Sequence, residues 1–295
     1  MNSFDNFFCK KNALVVGGSG GIGKSISLML AKSGANVTVH GGHASEKFDS
    51  LLREMNSISN SEFQTQKHRQ IILDFAKIDL EKFDEKNSAH FVDENSAEKI
   101  QKNCGKEIRD EKKSAHFVGE ISSLENLKSA LKKSEILCIC YGPFLQKKIA
   151  QTSAQEWLWT AKLNLALPGI LASYAARFMK RRGFGRILFF GGTRTNQING
   201  FKTNAAYAAA KTGIASLAKS FALEFAECGI STAAIFPGFV QTEYVSEKKR
   251  AEYEKLLGGK KMIRADEIAR AALFLLSDSN LNGTLLEMDG GWRPS

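Results

Sequence analysis

Short apolar runs and stretches of helical period alternate along most of this chain. The runs are bounded by glycines or polar residues and comprise Ala13–Val16, Val37–Val39, Ile136–Gly142, Arg186–Phe190, Ala233–Phe236 and Leu285–Met288. Such runs are typical of strands in a protein core. Between them apolar residues recur with the helical period, as in Ile214, Leu217, Ala218, Phe221, Ala222 and Phe225. This alternation predicts an α/β fold with a doubly wound parallel sheet, in a single domain over residues 11–295.

A glycine-rich turn follows the first predicted strand. Its residues of interest are Gly17, Ser19, Gly21, Ile22 and Gly23, and a predicted helix and a second strand come after it. Glycines let the backbone turn tightly and approach a pyrophosphate, while the first N–H groups of the helix and its dipole face the anion. The order strand, turn, helix, strand therefore predicts a nucleotide-binding turn.

A second candidate for chemistry lies on the helix after the Arg186–Phe190 run. Tyr207 and Lys211 are four residues apart and share one face of that helix. A phenol has a reference pKa of about 10, and a nearby ammonium lowers it towards the range that general acid–base catalysis needs. The pattern predicts an acid–base pair. Tyr244 and Lys248 repeat the spacing without this context, and we expect them to be exposed.

The composition narrows the functional classes. The chain has 295 residues, of which 43% are hydrophobic, and no apolar run reaches the roughly 18 residues of a membrane span. The net charge of +10 is densest in Arg177–Arg186, where a predicted helix ends and cations favour its dipole. No nucleic-acid-binding motif accompanies that charge. The five cysteines form no disulfide framework and no metal-ligand spacing, which favours a reducing cytoplasm.

The stretch from residue 41 to residue 133 is too long for a connection between two strands. Within it, residues 84–92 recur in similar form as residues 110–118. We predict a charged surface insertion with a short internal duplication over residues 44–115, between the second and third strands. The third strand is predicted at Phe117–Ile121. The repeated His90 and His116 have no carboxylate or thiol at ligand spacing, so no metal site is predicted.

The glycine spacing resembles that of the short-chain dehydrogenase/reductase family, and further matches follow in the family's order from Ala13 to about Trp292. Asn164, Tyr207 and Lys211 resemble its catalytic asparagine, tyrosine and lysine. Residues that resemble its cofactor-side loops are Gly142, Pro237, Gly238, Val240 and Thr242. The family's usual adenine-side aspartate would correspond to Glu120.

The resemblance implies an NAD(P)(H)-dependent oxidoreductase that moves a hydride between nicotinamide and a carbonyl or alcohol. Tyr207 would give its proton to the carbonyl oxygen, Lys211 would lower the pKa of Tyr207 and hold the nicotinamide ribose, and Asn164 would hold a water. By analogy with single-domain reductases of this family, the expected substrate is a 3-oxoacyl thioester, under a lid over Val240–Leu257. The resemblance also implies a homodimer or homotetramer.

The chain departs from the family pattern where the catalytic serine is expected. Counting from the strand places Gly192 there, and counting back from Tyr207 places Arg194 there. Thr193 lies between them and carries a hydroxyl, so we predict Thr193 in the serine's role, with Thr195 as the second choice. The departure also keeps open a catalytically impaired regulator that binds NADP(H), and less strongly an epimerase or dehydratase.

The end of the second strand bears on the choice of cofactor. An acidic side chain there would hold the ribose 2′-OH and repel a 2′-phosphate. No carboxylate occurs before Glu46, whereas His43, Ser45 and Lys47 could meet a phosphate. The sequence therefore favours NADP(H) over NAD(H).

Overall fold

The chain folds around one seven-stranded sheet. The computed structural model describes residues 7–62, 68–83 and 124–292. From edge to edge the strands are β3 (Arg69–Ile72), β2 (Asn36–Gly41), β1 (Asn12–Val16), β4 (Ile136–Ile139), β5 (Gly185–Phe190), β6 (Ile230–Pro237) and β9 (Leu285–Met288). All neighbouring pairs are parallel. A separate small ladder joins β7 (Val240–Gln241) to β8 (Ile263–Arg264). The predicted doubly wound parallel sheet is confirmed.

Helices cover both faces of this sheet. They are α1 (Gly21–Lys32), α2 (Glu46–Glu62), α3 (residues 124–133), α4 (Ala154–Ala161), α5 (Leu167–Arg182), α6 (Ala205–Phe225), α7 (Glu247–Leu256) and α8 (Ala265–Ser277). In β1, Leu14 and Val16 enter the core shared with α3, α5 and α6. Ala13 and Val15 enter the core shared with α1, α2 and α8. Because both faces of each strand are covered, the strands are continuously apolar rather than alternating.

The third strand lies earlier in the chain than predicted. β3 is Arg69–Ile72, which pairs with β2 and places Ile71 beside His40. β3 therefore holds the position beside β2 that the prediction gave to Phe117–Ile121, a segment that lies outside the described residues. The physical reason is that β3 directly follows the crossover helix α2 and supplies buried Ile71 and the adjoining buried Leu73 to the core.

The start of the predicted insertion also needs correction. Residues 46–62 form α2, whose Phe48, Leu51 and Met55 are buried in the core, so this part of the 44–115 segment belongs to the fold. The surplus residues come after β3 rather than between β2 and β3. Residues 84–123, with the duplication, both repeated histidines and Glu120, lie outside the described residues.

A π-helical turn divides the helical segment over residues 154–182. α4 ends at Ala161, the turn spans Lys162–Ala166, and α5 follows with Pro168 near its start. Proline has no N–H to bond the carbonyl four residues earlier, here that of Asn164, and its ring crowds that carbonyl. The wider turn accommodates this mismatch and places Asn164 in an irregular segment of the kind often found at functional sites.

Candidate active site

The glycine turn between β1 and α1 has the geometry of an anion cradle. Gly17 has a φ of +73°, and a Cβ there would lie 2.7 Å from the backbone nitrogen of Tyr141. A Cβ on Gly23 would overlap the carbonyl oxygen of Gly17. α1 begins at Gly21 with no side-chain cap and no acidic residue in its first turn. Close backbone approach at an uncapped helix N-terminus is the arrangement that binds a phosphate.

His40, at the end of β2, forms a hydrogen bond with this turn. Its Nδ1 accepts a hydrogen bond from the N–H of Gly17 at 3.3 Å, and its Nε2 lies 2.8 Å from the carbonyl oxygen of Leu73. The two partners together require the neutral tautomer with the proton on Nε2. Burial lowers the pKa of His40 to about 4, which keeps the ring neutral. The sequence reasoning missed this residue.

Asp74 follows β3 at the same edge of the sheet. It takes the place after the third strand that the sequence reasoning gave to Glu120. Its Oδ1 accepts the N–H of Ala76 at 3.1 Å, so the carboxylate stays near the end of its strand. The signal that could have found it is the apolar run of residues 71–73 immediately before an aspartate.

Tyr207 and Lys211 lie one turn apart on α6, as predicted; Lys211 is buried and Tyr207 is partly buried. The Lys211 Nζ donates to the carbonyl oxygen of Phe190 at 3.0 Å and lies 5.9 Å from the centroid of the Tyr207 ring. Burial raises the pKa of Tyr207 to about 12 and lowers the pKa of Lys211 to about 8. Burial alone accounts for the raised pKa of Tyr207, and the lowering of that pKa by Lys211 stays a prediction.

Asn164 converges with Lys211 on Gly142. A Cβ at Gly142 would lie 2.6 Å from Lys211 Nζ and 2.7 Å from Asn164 Oδ1, so no larger residue fits between them. The Asn164 amide donates to the carbonyl oxygens of Pro143 and Thr160 at 3.1 and 3.2 Å. Its Oδ1 is buried and, among the described residues, has no hydrogen-bond partner. An acceptor without a partner beside an ammonium suits a bridging water.

Gly192, in the loop after β5, is the residue that faces Tyr207. A Cβ there would lie 3.1 Å from Tyr207 Cε1 and 3.4 Å from its Oη. Thr193 instead donates its hydroxyl hydrogen to the carbonyl oxygen of Pro237 at 3.1 Å. Thr195 is buried and exchanges hydrogen bonds with the backbone of Gly192 at 2.9 and 3.0 Å. The role of Thr193 at a substrate carbonyl stays a prediction, and neither threonine hydroxyl is directed at Tyr207.

Arg194 departs from ordinary backbone geometry in the same loop. Its φ is +58°, which is uncommon for a residue other than glycine. Its guanidinium donates to Asn199 Oδ1 at 3.1 Å, and the Asn199 amide donates to the carbonyl oxygen of Arg194 at 2.9 Å. This reciprocal pair holds the turn, so Arg194 contributes to the loop rather than replacing the serine.

Among the predicted cofactor-side residues, Thr242 lies against the glycine turn and Gly238 lies beside the end of β9. The N–H of Gly238 donates to Met288 at 2.7 Å, and a Cβ on Gly21 would lie 3.5 Å from Thr242 Cγ2. Ser19 lies against Gly41 at the end of β2. His43 lies just beyond β2 and is exposed, with no hydrogen bond that fixes it to the turn. Its part in binding stays a prediction.

The described residues contain no group of three or more His, Cys, Asp or Glu side chains that could hold a metal ion. None of the described helices combines the length and apolar character that a membrane span requires.

Known proteins match the chain over most of its length. A family model described as short chain dehydrogenase matches residues 11–79, and one described as Enoyl-(Acyl carrier protein) reductase matches residues 86–293. The D-beta-hydroxybutyrate dehydrogenase of Rhizobium meliloti (strain 1021) is 27% identical, over 96% of this chain and 98% of its own. The 3-oxoacyl-[acyl-carrier-protein] reductase FabG of Escherichia coli (strain K12) is 30% identical, over 58% of this chain and 71% of its own.

A solved structure shares the fold. A candidate NAD(P)-dependent gluconate 5-dehydrogenase from Beutenbergia cavernae, determined with NADP bound at low occupancy, superposes with a TM-score of 0.71 at 22% identity. The superposition covers 97% of this chain and 98% of that one.

Proposed function

This chain belongs to the short-chain dehydrogenase/reductase family, and on that premise we propose that it is an NADP(H)-dependent reductase of 3-oxoacyl substrates. Enzymes of this family act on CH–OH or C=O groups with NAD(P), and this protein is such an oxidoreductase. The observation that carries the proposal of carbonyl reduction is the partly buried phenol of Tyr207, with the Lys211 ammonium 5.9 Å from its ring centroid.

The residues present fit a dinucleotide. Gly17 and Gly23 leave room for close approach at the N-terminus of α1, where side chains would collide with the backbone. The unpartnered Oδ1 of Asn164 and the Nζ of Lys211 offer an acceptor and a donor beside Gly142. When bound, the cofactor supplies the hydride, and these residues would orient its diphosphate and its nicotinamide ribose.

Tyr207 supplies the proton in this proposal. Its pKa of about 12 means that the phenol holds its proton throughout the neutral range and can donate it to the carbonyl oxygen as negative charge develops there. Lys211, and a water held by Asn164 Oδ1, would return a proton to the phenolate.

The opposite reaction needs the phenolate, so the rate of alcohol oxidation should rise with pH between 7 and 9 while the rate of carbonyl reduction stays level. Reduction that rises as steeply as oxidation would contradict this assignment.

The preference for NADP(H) rests on residues 42–47. The segment after β2 is exposed, and its first carboxylate is Glu46 in the first turn of α2. His43 and Lys47 are then the groups available to a 2′-phosphate. A Lys47→Gln variant should lower kcat/KM for NADPH and leave that for NADH unchanged. Equal effects on both cofactors, or a wild-type preference for NADH, would overturn the preference.

The substrate class is proposed from the relatives and from the surface near Tyr207. The ring of Phe144 packs edge-on against Tyr207 at 4.9 Å and is 58% exposed, so an apolar side chain lines the approach to the phenol. Such a surface suits an acyl chain better than a sugar. The relatives named above reduce or oxidise, by their names, a 3-oxoacyl group and 3-hydroxybutyrate.

A matched substrate set tests this class. Acetoacetyl-CoA, free acetoacetate and a ketosugar should be compared with NADPH at equal concentrations. We expect the thioester to give the highest kcat/KM. Preference for the free acid would favour a hydroxybutyrate-type dehydrogenase, and preference for the sugar would refute the 3-oxoacyl proposal. Tight cofactor binding with no turnover of any carbonyl would favour the impaired regulator instead.

The proposed assembly uses apolar side chains that α4 and α6 expose. Apolar side chains are exposed on α4 and α6, with Leu158 at 72% and Leu223 at 85% exposure, which supports a homodimer or homotetramer through these helices. Light scattering after gel filtration tests this, and a monomer at micromolar concentration would refute it. The cytoplasmic location rests only on the cysteine usage of the sequence.

A further inference from the structure

The segment after β7 folds back onto the glycine turn. The carboxylate of Glu243 accepts the N–H of Gly21, the first residue of α1, at 2.9 Å between Oε1 and nitrogen. A Cβ on Gly20 would lie 2.7 Å from the same oxygen and would overlap the hydroxyl of Tyr244. Glu243 and Tyr244 therefore lie directly against the turn that the proposed cofactor's diphosphate needs.

Glu243 supplies the anionic acceptor that the N-terminus of α1 lacks. The helix has no side-chain cap at Gly20 and no acidic residue in its first turn, so its first amides and the positive end of its dipole have no local anion. Within the part of the chain that the structure describes, the side chain that accepts the Gly21 amide lies 222 residues further along the sequence. A carboxylate at this point satisfies the same amide that a phosphate would.

We propose that Glu243 is an internal competitor of the cofactor, whose carboxylate occupies the diphosphate position until the dinucleotide displaces it. This inference rests on the proposed function, because it requires a dinucleotide at the glycine turn. Two anions cannot share one amide, so cofactor binding has to move Glu243. Residues 243 and 244 are exposed and lead into Ser246, the N-cap of α7, so their displacement also moves the start of the predicted lid.

The test is the dissociation constant of NADPH, measured by fluorescence titration on the full chain. Glu243→Gln removes the charge and Glu243→Ala removes the acceptor as well. Because Glu243 is exposed, neither substitution should affect folding. Glu247→Gln is the matched control, since Glu247 is an exposed carboxylate in the first turn of α7. We expect Kd to fall about two- to fivefold at low ionic strength for both Glu243 variants, with little change for the control, and the difference to shrink at high salt.

The outcomes separate this inference from the proposed function. If wild type binds NADPH and the Glu243 variants bind it equally or more weakly, the competitor is refuted and the function stands. An equal gain in the Glu247 variant would show a general charge effect and would also refute the specific contact. If wild type and the Glu243→Ala variant both fail to bind NADPH and NADH, the proposed function falls, and this inference with it.

Discussion

Replacing Gly192 by serine tests the least expected feature of the site. The residue faces Tyr207, and the hydroxyls of the neighbouring Thr193 and Thr195 donate to the backbone of Pro237 and Gly192. A Cβ at residue 192 would lie 3.1 Å from Tyr207 Cε1 and 3.6 Å from Thr195 Cγ2. Gly192 is not among the glycines with positive φ, so its backbone accepts a side chain. The Tyr207 ring would need to move by only a few tenths of an ångström.

The expected gain follows from the position of the new hydroxyl. The Cβ would lie 3.4 Å from Tyr207 Oη, and Oγ stands one C–O bond further out, within hydrogen-bonding reach of an oxygen bound to that phenol. A well-placed donor to a developing oxyanion is worth about 10²–10³ in kcat. Because Tyr207 has to shift, we expect roughly a tenfold rise in kcat for Gly192→Ser.

Gly192→Ala is the matched control, because it adds the same Cβ without a donor. The assay is NADPH oxidation with acetoacetyl-CoA at saturating cofactor. We expect the serine variant to exceed the alanine variant about tenfold, and equal rates would refute the reasoning. Thr193→Val completes the design. If Thr193 orients the carbonyl as predicted, its loss should slow the wild type strongly and the serine variant little.

Three further predictions concern the phenol, the lysine and the turn. Tyr207→Phe should lower kcat/KM about 10²–10⁴-fold while NADPH titration gives an unchanged Kd; undiminished turnover would contradict it. Lys211 has a pKa of about 8, below its reference of 10.5, so the unfolded chain binds more protons above pH 8 and wild-type stability should rise with pH. Urea unfolding should show a gain of about 1 kcal/mol from pH 7 to 9 relative to Lys211→Met, and parallel profiles would refute it. Gly23→Ala should abolish NADPH binding, whereas Gly42→Ala, with open space around it, should not.

The sequence could predict the parts of this protein that depend on local pattern. The glycine turn, the strands β1 and β5, and the pair on α6 all follow from periodicity and spacing over a few residues. β3 was misplaced because its four residues follow a long polar helix and offer a weak apolar signal. Asp74 was missed for the same reason, since its role depends on which segment forms the third strand.

Other features depend on contacts between distant segments and have no local signal. In the sequence, His40 is a single polar residue at the end of a strand, and its hydrogen bond with the amide of Gly17 depends on the folded structure. The contact between Glu243 and Gly21 joins opposite ends of the chain. For Tyr207, spacing reveals the neighbouring ammonium but not the burial that raises the pKa of the phenol.

The two threonines that the sequence offers for catalysis form hydrogen bonds between and within loops. Thr195 closes the turn on Gly192, and Thr193 ties that turn to Pro237, where β6 ends. From Pro237 the chain continues to Thr242 and Glu243, which lie on the glycine turn. The hydroxyl of Thr193 thus links the loop after β5 to the end of β6, and the carboxylate of Glu243 links the segment after β6 to the loop after β1. We therefore expect that a shift of Glu243 on cofactor binding also alters the loop beside Tyr207, through the hydrogen bonds of Thr193 and Thr195.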